Sequence, residues 1–263
     1  MLGTRLWTAA IALPAVIAAV LYTSDSTFSL IVAAFGAWAL YEVAAMTASS
    51  KSIARLVLIV LTGGVPLAIE FATNARIPWA IPGGAIVAMA TLIGLVALRG
   101  ADVGIGRNAL AFLGAAYVGI LFPLLALTRN LDDGAALFIL TLALVAASDT
   151  GAYFGGLNLG KRKLAPMVSP SKTVEGAVAG LLASVVVALV LREIFFTEWT
   201  VTQMAVFGIA MALMAQVGDL ANSAFKRCAK VKDSGWLFPG HGGLLDRASS
   251  LVFAAAFTYY WAS

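Results

Sequence analysis

The stretch KVKDSGWLFPGHGGLLDR, residues 230–247, gathers five charges, four glycines and the chain's single histidine into eighteen residues. Just upstream, DLANSAFKRCAK places Asp219, Ser223, Lys226 and Lys230 at i, i+4, i+7 and i+11, one face of a helix read over 219–232. A carboxylate leading a row of cations suits a site that holds a metal ion against phosphate; a solvated helix face would show the same polarity. In PGHGG, Gly240, Gly242 and Gly243 permit positive φ and close backbone approach to a ligand, and Asp246 and Arg247 follow. His241 has no cysteine or second histidine near it to build a zinc site.

A second polar stretch reads SDTGAYFGGLNLGKRKLAPMVSPSKTVEG. Asp149 is a lone carboxylate at the end of an apolar run, where ionisable groups cost energy and usually serve a purpose; wetting at the interface is the plainer alternative. Gly155–Lys161 has the spacing of a phosphate-binding P-loop, but Arg162 stands where that loop needs Ser or Thr, so the P-loop reading fails. In SPSKT, Pro170 stops what precedes it, Ser171 or Thr173 can cap the next helix, and Glu175 suits its first turn. Unpaired N–H groups at that helix start, with Lys172 beside them, make an anion site; an ordinary cap with a snorkelling lysine would look alike. No serine–histidine–acid set stands out. None is needed if an ionised substrate phosphate is itself the nucleophile. The protein must then align two phosphates and neutralise their charge, with carboxylates holding Mg2+, Lys/Arg clamps and backbone N–H groups. Magnesium takes one or two protein carboxylates plus phosphate oxygens, so Asp219 and Asp246 suffice in number.

The elements that carry these loops follow from composition. Of 263 residues, 61% are hydrophobic and 11% charged, with a mean hydropathy of +0.95. A soluble domain carries roughly 25% charged residues; this chain cannot cover a globule with polar surface, so lipid is its outer solvent. Apolar runs long enough to cross a bilayer fall at Leu6–Tyr22, Phe28–Met46, Ile53–Ala72, Ile77–Leu98, Ala109–Leu127, Ala135–Gly155, Val174–Phe196, Val201–Val217 and Ser249–Trp261. The expectation is an all-α, polytopic integral membrane protein with about nine transmembrane helices, a single membrane domain over 1–263 whose catalytic loops lie in 147–250. The first run reads as a retained anchor rather than a signal peptide, because further spans follow at once.

Fourteen of the 17 Lys and Arg residues fall at the N-terminus or in even-numbered loops; only Arg76, Arg129 and Arg192 fall in the odd ones. Basic residues stay cytoplasmic, which places the N-terminus and both polar loops in the cytosol and the C-terminus outside. Cys228, the one cysteine, excludes an internal disulfide. GAVAG, residues 176–180, is a small-xxx-small packing motif that suits either a homodimer or internal packing.

SAFKRCAKVKDSGWLFPGHGGLLDRAS closely resembles the signature of the phosphatidate cytidylyltransferase (CDP-diacylglycerol synthase) family, with Ser223, Lys226, Arg227, Lys232, Asp233, Gly235, Phe238, Pro239, His241, Gly242, Gly243, Asp246 and Arg247 in place. SDTGAYFGG, KLAP and SPSKTVEG add to the resemblance, which covers 147–250; the first half is alike in hydropathy only. Two positions depart from it: Ala248 stands where a larger apolar residue is usual, and Ser249 replaces an aspartate, removing a carboxylate one turn from Asp246.

The resemblance implies an enzyme that condenses CTP with phosphatidate in the cytosolic leaflet, giving CDP-diacylglycerol and pyrophosphate, with Mg2+ as cofactor. It implies no nucleic-acid partner, and small size favours a bacterial inner membrane. Asp219 and Asp246, with Asp149 behind them, are the expected metal ligands. Lys226, Arg227, Asp246 and His241 form the expected catalytic group, His241 ordering the loop or hydrogen-bonding phosphate rather than acting as base. Lys172, Ser171, Ser223 and Arg247 are expected to bind substrate, together with Lys232, Asp233, Gly242 and Gly243. Three rivals stay open: a CTP-dependent lipid kinase, a relative that binds lipid or nucleotide without catalysis, and a transporter.

Overall fold

A computed structural model describes residues 2–47, 106–237 and 242–263, with side chains from residue 11 onward, and positions 60, 82, 85, 86, 88, 89, 92, 93 and 96. In chain order the elements are α1 (Leu2–Tyr22), α2 (Asp25–Thr47), α3 (Arg107–Leu121), α4 (Pro123–Arg129), α5 (Gly134–Leu159), β1 (Lys163–Ala165), β2 (Ser169–Thr173), α6 (Val174–Phe195), α7 (Val201–Cys228) and α8 (Leu245–Ala262). Among the described residues, five stretches are long and apolar enough to cross a membrane: α2, α3 with α4, α5, α6 and α7. With α1 and α8 they fall on seven of the nine expected spans. Ile53–Ala72 and Ile77–Leu98 lie outside the described residues but for scattered positions, so the helices seen do not confirm a count of nine.

Three boundaries differ from those read off hydropathy, each for a local reason. The fifth span breaks between Phe122 and Pro123, because proline has no N–H to return to the preceding turn. The eighth does not stop at Val217: α7 runs unbroken to Cys228, 28 residues in all. At 1.5 Å per residue that is about 42 Å, longer than a hydrocarbon core of about 30 Å, and its polar residues gather in the last turns. Helix α8 begins at Leu245, which draws Asp246 and Arg247 into its first turn.

The all-α expectation also meets an exception: β1 and β2 pair antiparallel, with Lys163 opposite Thr173 and Ala165 opposite Ser169. The segment between α5 and α6 is too polar to enter lipid and closes on itself as a ribbon. Every strand of a two-stranded ribbon is an edge, where Pro170 is tolerated.

Small residues let α5 and α6 meet. A Cβ placed on Gly155 would lie 2.2 Å from Ala179 Cβ, and one on Gly151 2.5 Å from Ala183 Cβ. In return, Cβ atoms on Gly176 and Gly180 would lie 2.7 Å from Ala152 O and 2.6 Å from Ser148 O. The GAVAG motif is therefore used inside the chain, against α5. Helices α7 and α8 cross as closely at Gly218, where a Cβ would lie 2.5 Å from Ser249 O.

Buried apolar side chains form one cluster joining α2, α3, α4 and α8 to the end of α7, and a second joining α5, α6, α7 and α8. Arg129 ties the far end: its guanidinium donates to Val20 O at 2.7 Å and Thr23 O at 3.1 Å, and pairs with Asp25 at 2.9 Å.

Candidate active site

Chain direction brings the polar residues to one end of the bundle: α5 and α7 finish there, while α6 and α8 start there. The turn from α5 into the ribbon is held by Glu175, whose Oε2 accepts from Lys161 N at 3.0 Å and Arg162 N at 3.1 Å. Thr173, not Ser171, caps α6, its hydroxyl accepting from Gly176 N at 3.1 Å. Arg227 Nε donates to Val168 O at 3.1 Å, tying the end of α7 to the ribbon turn. So braced, β2 presents Lys172, whose Nζ lies 2.6 Å from Asp219 Oδ2 on α7. Asp149 on α5 is within electrostatic reach of Asp219, Lys172 and Arg247. Two carboxylates and two cations from four elements thus share one region.

Beside it lies a second knot, centred on Asp246. Its Oδ1 accepts from Lys226 Nζ at 2.5 Å and Asn222 Nδ2 at 3.1 Å. Its Oδ2 accepts from Ser234 N at 2.8 Å, Ser234 Oγ at 3.0 Å and Gly243 N at 3.1 Å. The ion pair is largely buried, with 6% of the Asp246 side chain and 16% of the Lys226 side chain exposed. Gly242 takes φ +82°, and a Cβ there would lie 2.5 Å from Asp246 Oδ2. Both its conformation and its neighbour require glycine.

A buried carboxylate from the first half of the chain completes this knot. Glu42 of α2 is 1% exposed. Its Oε1 accepts from Leu244 N at 2.7 Å and Trp38 Nε1 at 3.2 Å; its Oε2 accepts from Ser234 Oγ at 2.8 Å and Leu245 N at 3.0 Å. A Cβ on Gly243 would lie 2.5 Å from either Glu42 oxygen.

Asp149 stands out in the sequence as a carboxylate alone in an apolar run. Glu42, in WALYEVAAM, carries the same signal outside the two polar loops. Asn222 and Ser234 carry no such signal; both are buried, and both serve Asp246.

Of the expected site residues, Asp149, Lys172, Asp219 and Arg247 come together, as do Lys226, Asp246, Gly242 and Gly243. Ser223 is half-buried on α7; Ser171, Lys232 and Asp233 are exposed. Lys230 drops off the predicted face, because α7 ends at Cys228 and Lys230 itself takes φ +59°. His241, Gly240, Pro239 and Phe238 lie outside the described residues.

Among the described residues, no three His, Cys, Asp or Glu side chains converge as a ready metal cage. Asp149 and Asp219 fit a hard cation of another kind, one that takes one or two protein carboxylates and completes its shell with phosphate oxygens and water.

The chain is similar to several known proteins. The chain is 40% identical over 149 residues to a Bacillus subtilis protein named phosphatidate cytidylyltransferase, a stretch covering 56% of this chain and 55% of that protein. It is 42% identical over 145 residues to the protein of that name from Staphylococcus saprophyticus, covering 55% of each, and 40% identical over 147 residues to that of Staphylococcus aureus strain COL, again 55% of each. The chain thus spans about half the length of the curated relatives it matches. The cytidylyltransferase family matches far more of it, residues 3–263. This helical, polytopic membrane protein belongs to the cytidylyltransferase family.

Proposed function

We propose that this chain transfers the cytidylyl group of CTP to phosphatidate, giving CDP-diacylglycerol and pyrophosphate. One observation carries the reading: Lys172 pairs with Asp219, with Asp149 in electrostatic reach of both and of Arg247, at the end of the bundle where α5 and α7 finish and α6 and α8 start, beside the Lys226–Asp246 pair. We place that end at headgroup depth, where a lipid phosphate waits and a nucleotide arrives from water.

In the reaction, an oxygen of the phosphatidate phosphate bonds to the α-phosphorus of CTP. The bond from that phosphorus to the α–β bridging oxygen breaks, and pyrophosphate leaves with the electron pair. The nucleophile carries no proton to remove, so no base is required. What the chain must do is hold two anions together. Lys172 and Arg247 lie beside the two carboxylates and suit the lipid phosphate; Lys226, aimed by Asp246, suits the triphosphate, with Arg227 bracing the ribbon. Asp149 and Asp219 would hold Mg2+, which when bound neutralises phosphate charge and orients the triphosphate. Both oxygens of Asp246, expected from sequence as a metal ligand, are engaged by four N–H donors, and it shares the Ser234 hydroxyl with Glu42; we assign it to orienting Lys226 and the loop instead. We place this end of the bundle in the cytosol of a bacterial inner membrane, on the bias of Lys and Arg in the sequence.

The test is a detergent assay of the purified chain with CTP, with and without phosphatidate, over a range of magnesium. Phosphatidate-dependent release of pyrophosphate and formation of CDP-diacylglycerol is the expected result. Release of CDP would mean phosphate transfer to an alcohol, as in a lipid kinase, and would sink the reading; so would a chain silent at every magnesium concentration.

A further inference from the structure

We propose that Glu42 is a positioning residue of this active site, acting from α2 through Ser234 and the start of α8 on Asp246 and Lys226; the inference rests on the cytidylyl-transfer reading of that site. Helix α8 begins at Leu245 after Leu244, a residue with no side chain able to cap it. The first N–H groups of any helix lack partners within it, and left unpaired in an apolar bundle they are costly. Glu42 satisfies two of them, Leu244 N and Leu245 N, from a helix about 200 residues away in sequence. It also places a carboxylate at the positive end of the α8 dipole.

Its second task is to hold the loop. Ser234 Oγ lies 2.8 Å from Glu42 Oε2 and 3.0 Å from Asp246 Oδ2, bridging the two carboxylates, while Ser234 N donates to Asp246 as well. Asp246 in turn holds Lys226. A chain of contacts therefore runs Glu42, Ser234, Asp246, Lys226. Trp38 fixes its near end, the indole N–H donating to Glu42 and the ring meeting Trp236 of the loop edge-on, at a centroid distance of 6.1 Å. Three of the four groups around Glu42 are N–H donors, Leu244 N, Leu245 N and Trp38 Nε1; the fourth is the Ser234 hydroxyl, whose one proton lies between Glu42 and Asp246. An amide of the same shape must turn its NH2 toward at least one of those N–H groups, so Glu42→Gln is a same-sized substitution that breaks the arrangement.

Glu42→Gln and Ser234→Ala should be purified as full chains in detergent and examined in two ways. Trypsin cleavage at Lys230 and Lys232, in the loop, is compared with cleavage at Lys161–Lys163, where α5 leads into the ribbon, which Glu42 does not touch. Pyrophosphate release is measured against CTP and phosphatidate. For Glu42→Gln we expect loop cleavage to quicken about tenfold while ribbon cleavage holds, since opening of the loop is a local event. We also expect kcat and kcat/KM to fall together by about 10–100-fold, the range seen when outer-shell partners of a site are removed. Ser234→Ala, which leaves the α8 cap in place, should fall between this variant and the unmodified chain in both measurements and serves if Glu42→Gln does not fold. Equal quickening at both trypsin sites would show that Glu42 merely stabilises the bundle and would overturn the proposal. So would unchanged cleavage and turnover. If the unmodified chain releases no pyrophosphate, the functional reading falls and the cleavage ratio alone decides on Glu42: raised, it supports the positioning role; unchanged, it overturns it.

Discussion

Asp246→Asn tests the site most directly, because the structure fixes what one nitrogen would meet. If the new NH2 takes the place of Oδ1, it faces Lys226 Nζ and Asn222 Nδ2; if that of Oδ2, it faces the N–H and hydroxyl of Ser234 and the N–H of Gly243. Either way at least two donors lose their acceptor. A hydrogen bond to a charged group contributes about 1.5–3 kcal/mol and a neutral one about 0.5–1.5 kcal/mol, so the arrangement should lose about 2–4 kcal/mol. At about 1.4 kcal/mol per factor of ten, turnover should fall roughly 30- to 1,000-fold if the loss is felt in the transition state. The assay is pyrophosphate release in detergent, with thermal unfolding measured alongside. Adding Lys226→Met sharpens the test. With the ammonium gone, the amide can direct its oxygen to Ser234 and Gly243 and its NH2 into the place the ammonium left, so that only Asn222 Nδ2 loses an acceptor there, and it keeps Leu245 O. Lys226→Met/Asp246→Asn should therefore recover part of the stability lost in Asp246→Asn while staying inactive. Asp246→Asn with ordinary turnover at ordinary stability would refute the reasoning, and a double variant no more stable than the single would show that the ion pair is not what orients Lys226.

Three further outcomes follow from the geometry. Gly155→Val should lower the thermal unfolding temperature, overpacking a helix contact costing about 1–3 kcal/mol, and should reduce turnover because α5 and α6 together hold the ribbon that carries Lys172; an unchanged melting curve would count against the close α5–α6 contact. Ser249→Asp should reach half-maximal rate at lower magnesium with a similar plateau, since the buried Ser249 packs against Gly218, next to Asp219; identical magnesium curves would remove position 249 from metal binding. In a Cys228→Ala background, Ser171→Cys should resist an impermeant thiol reagent added outside intact cells and react once they are opened; labelling from outside would reverse the proposed orientation.

Sequence alone determined the solvent and the class of this protein, and it named the residue types from which a site could be built. With 11% charged residues no folded arrangement could face water all round, and apolar runs of that length in lipid must satisfy their own backbone groups as helices. The glycines, cations and carboxylates of 147–250 were equally legible, because residue type and spacing limit what a loop can bind. Tertiary structure decided the partners. Nothing in the local pattern says that Lys172 meets Asp219, since that ion pair depends on a ribbon and on two helices brought together at glycines 151, 155, 176 and 180. Hydropathy could not show that α7 continues to Cys228, because a helix keeps its backbone bonds after its side chains turn polar. Least visible was Glu42, about 200 residues from the N–H groups it accepts from. A capping residue is read from its neighbours in sequence, and here the cap comes from another helix; only the packed bundle places that carboxylate where α8 begins.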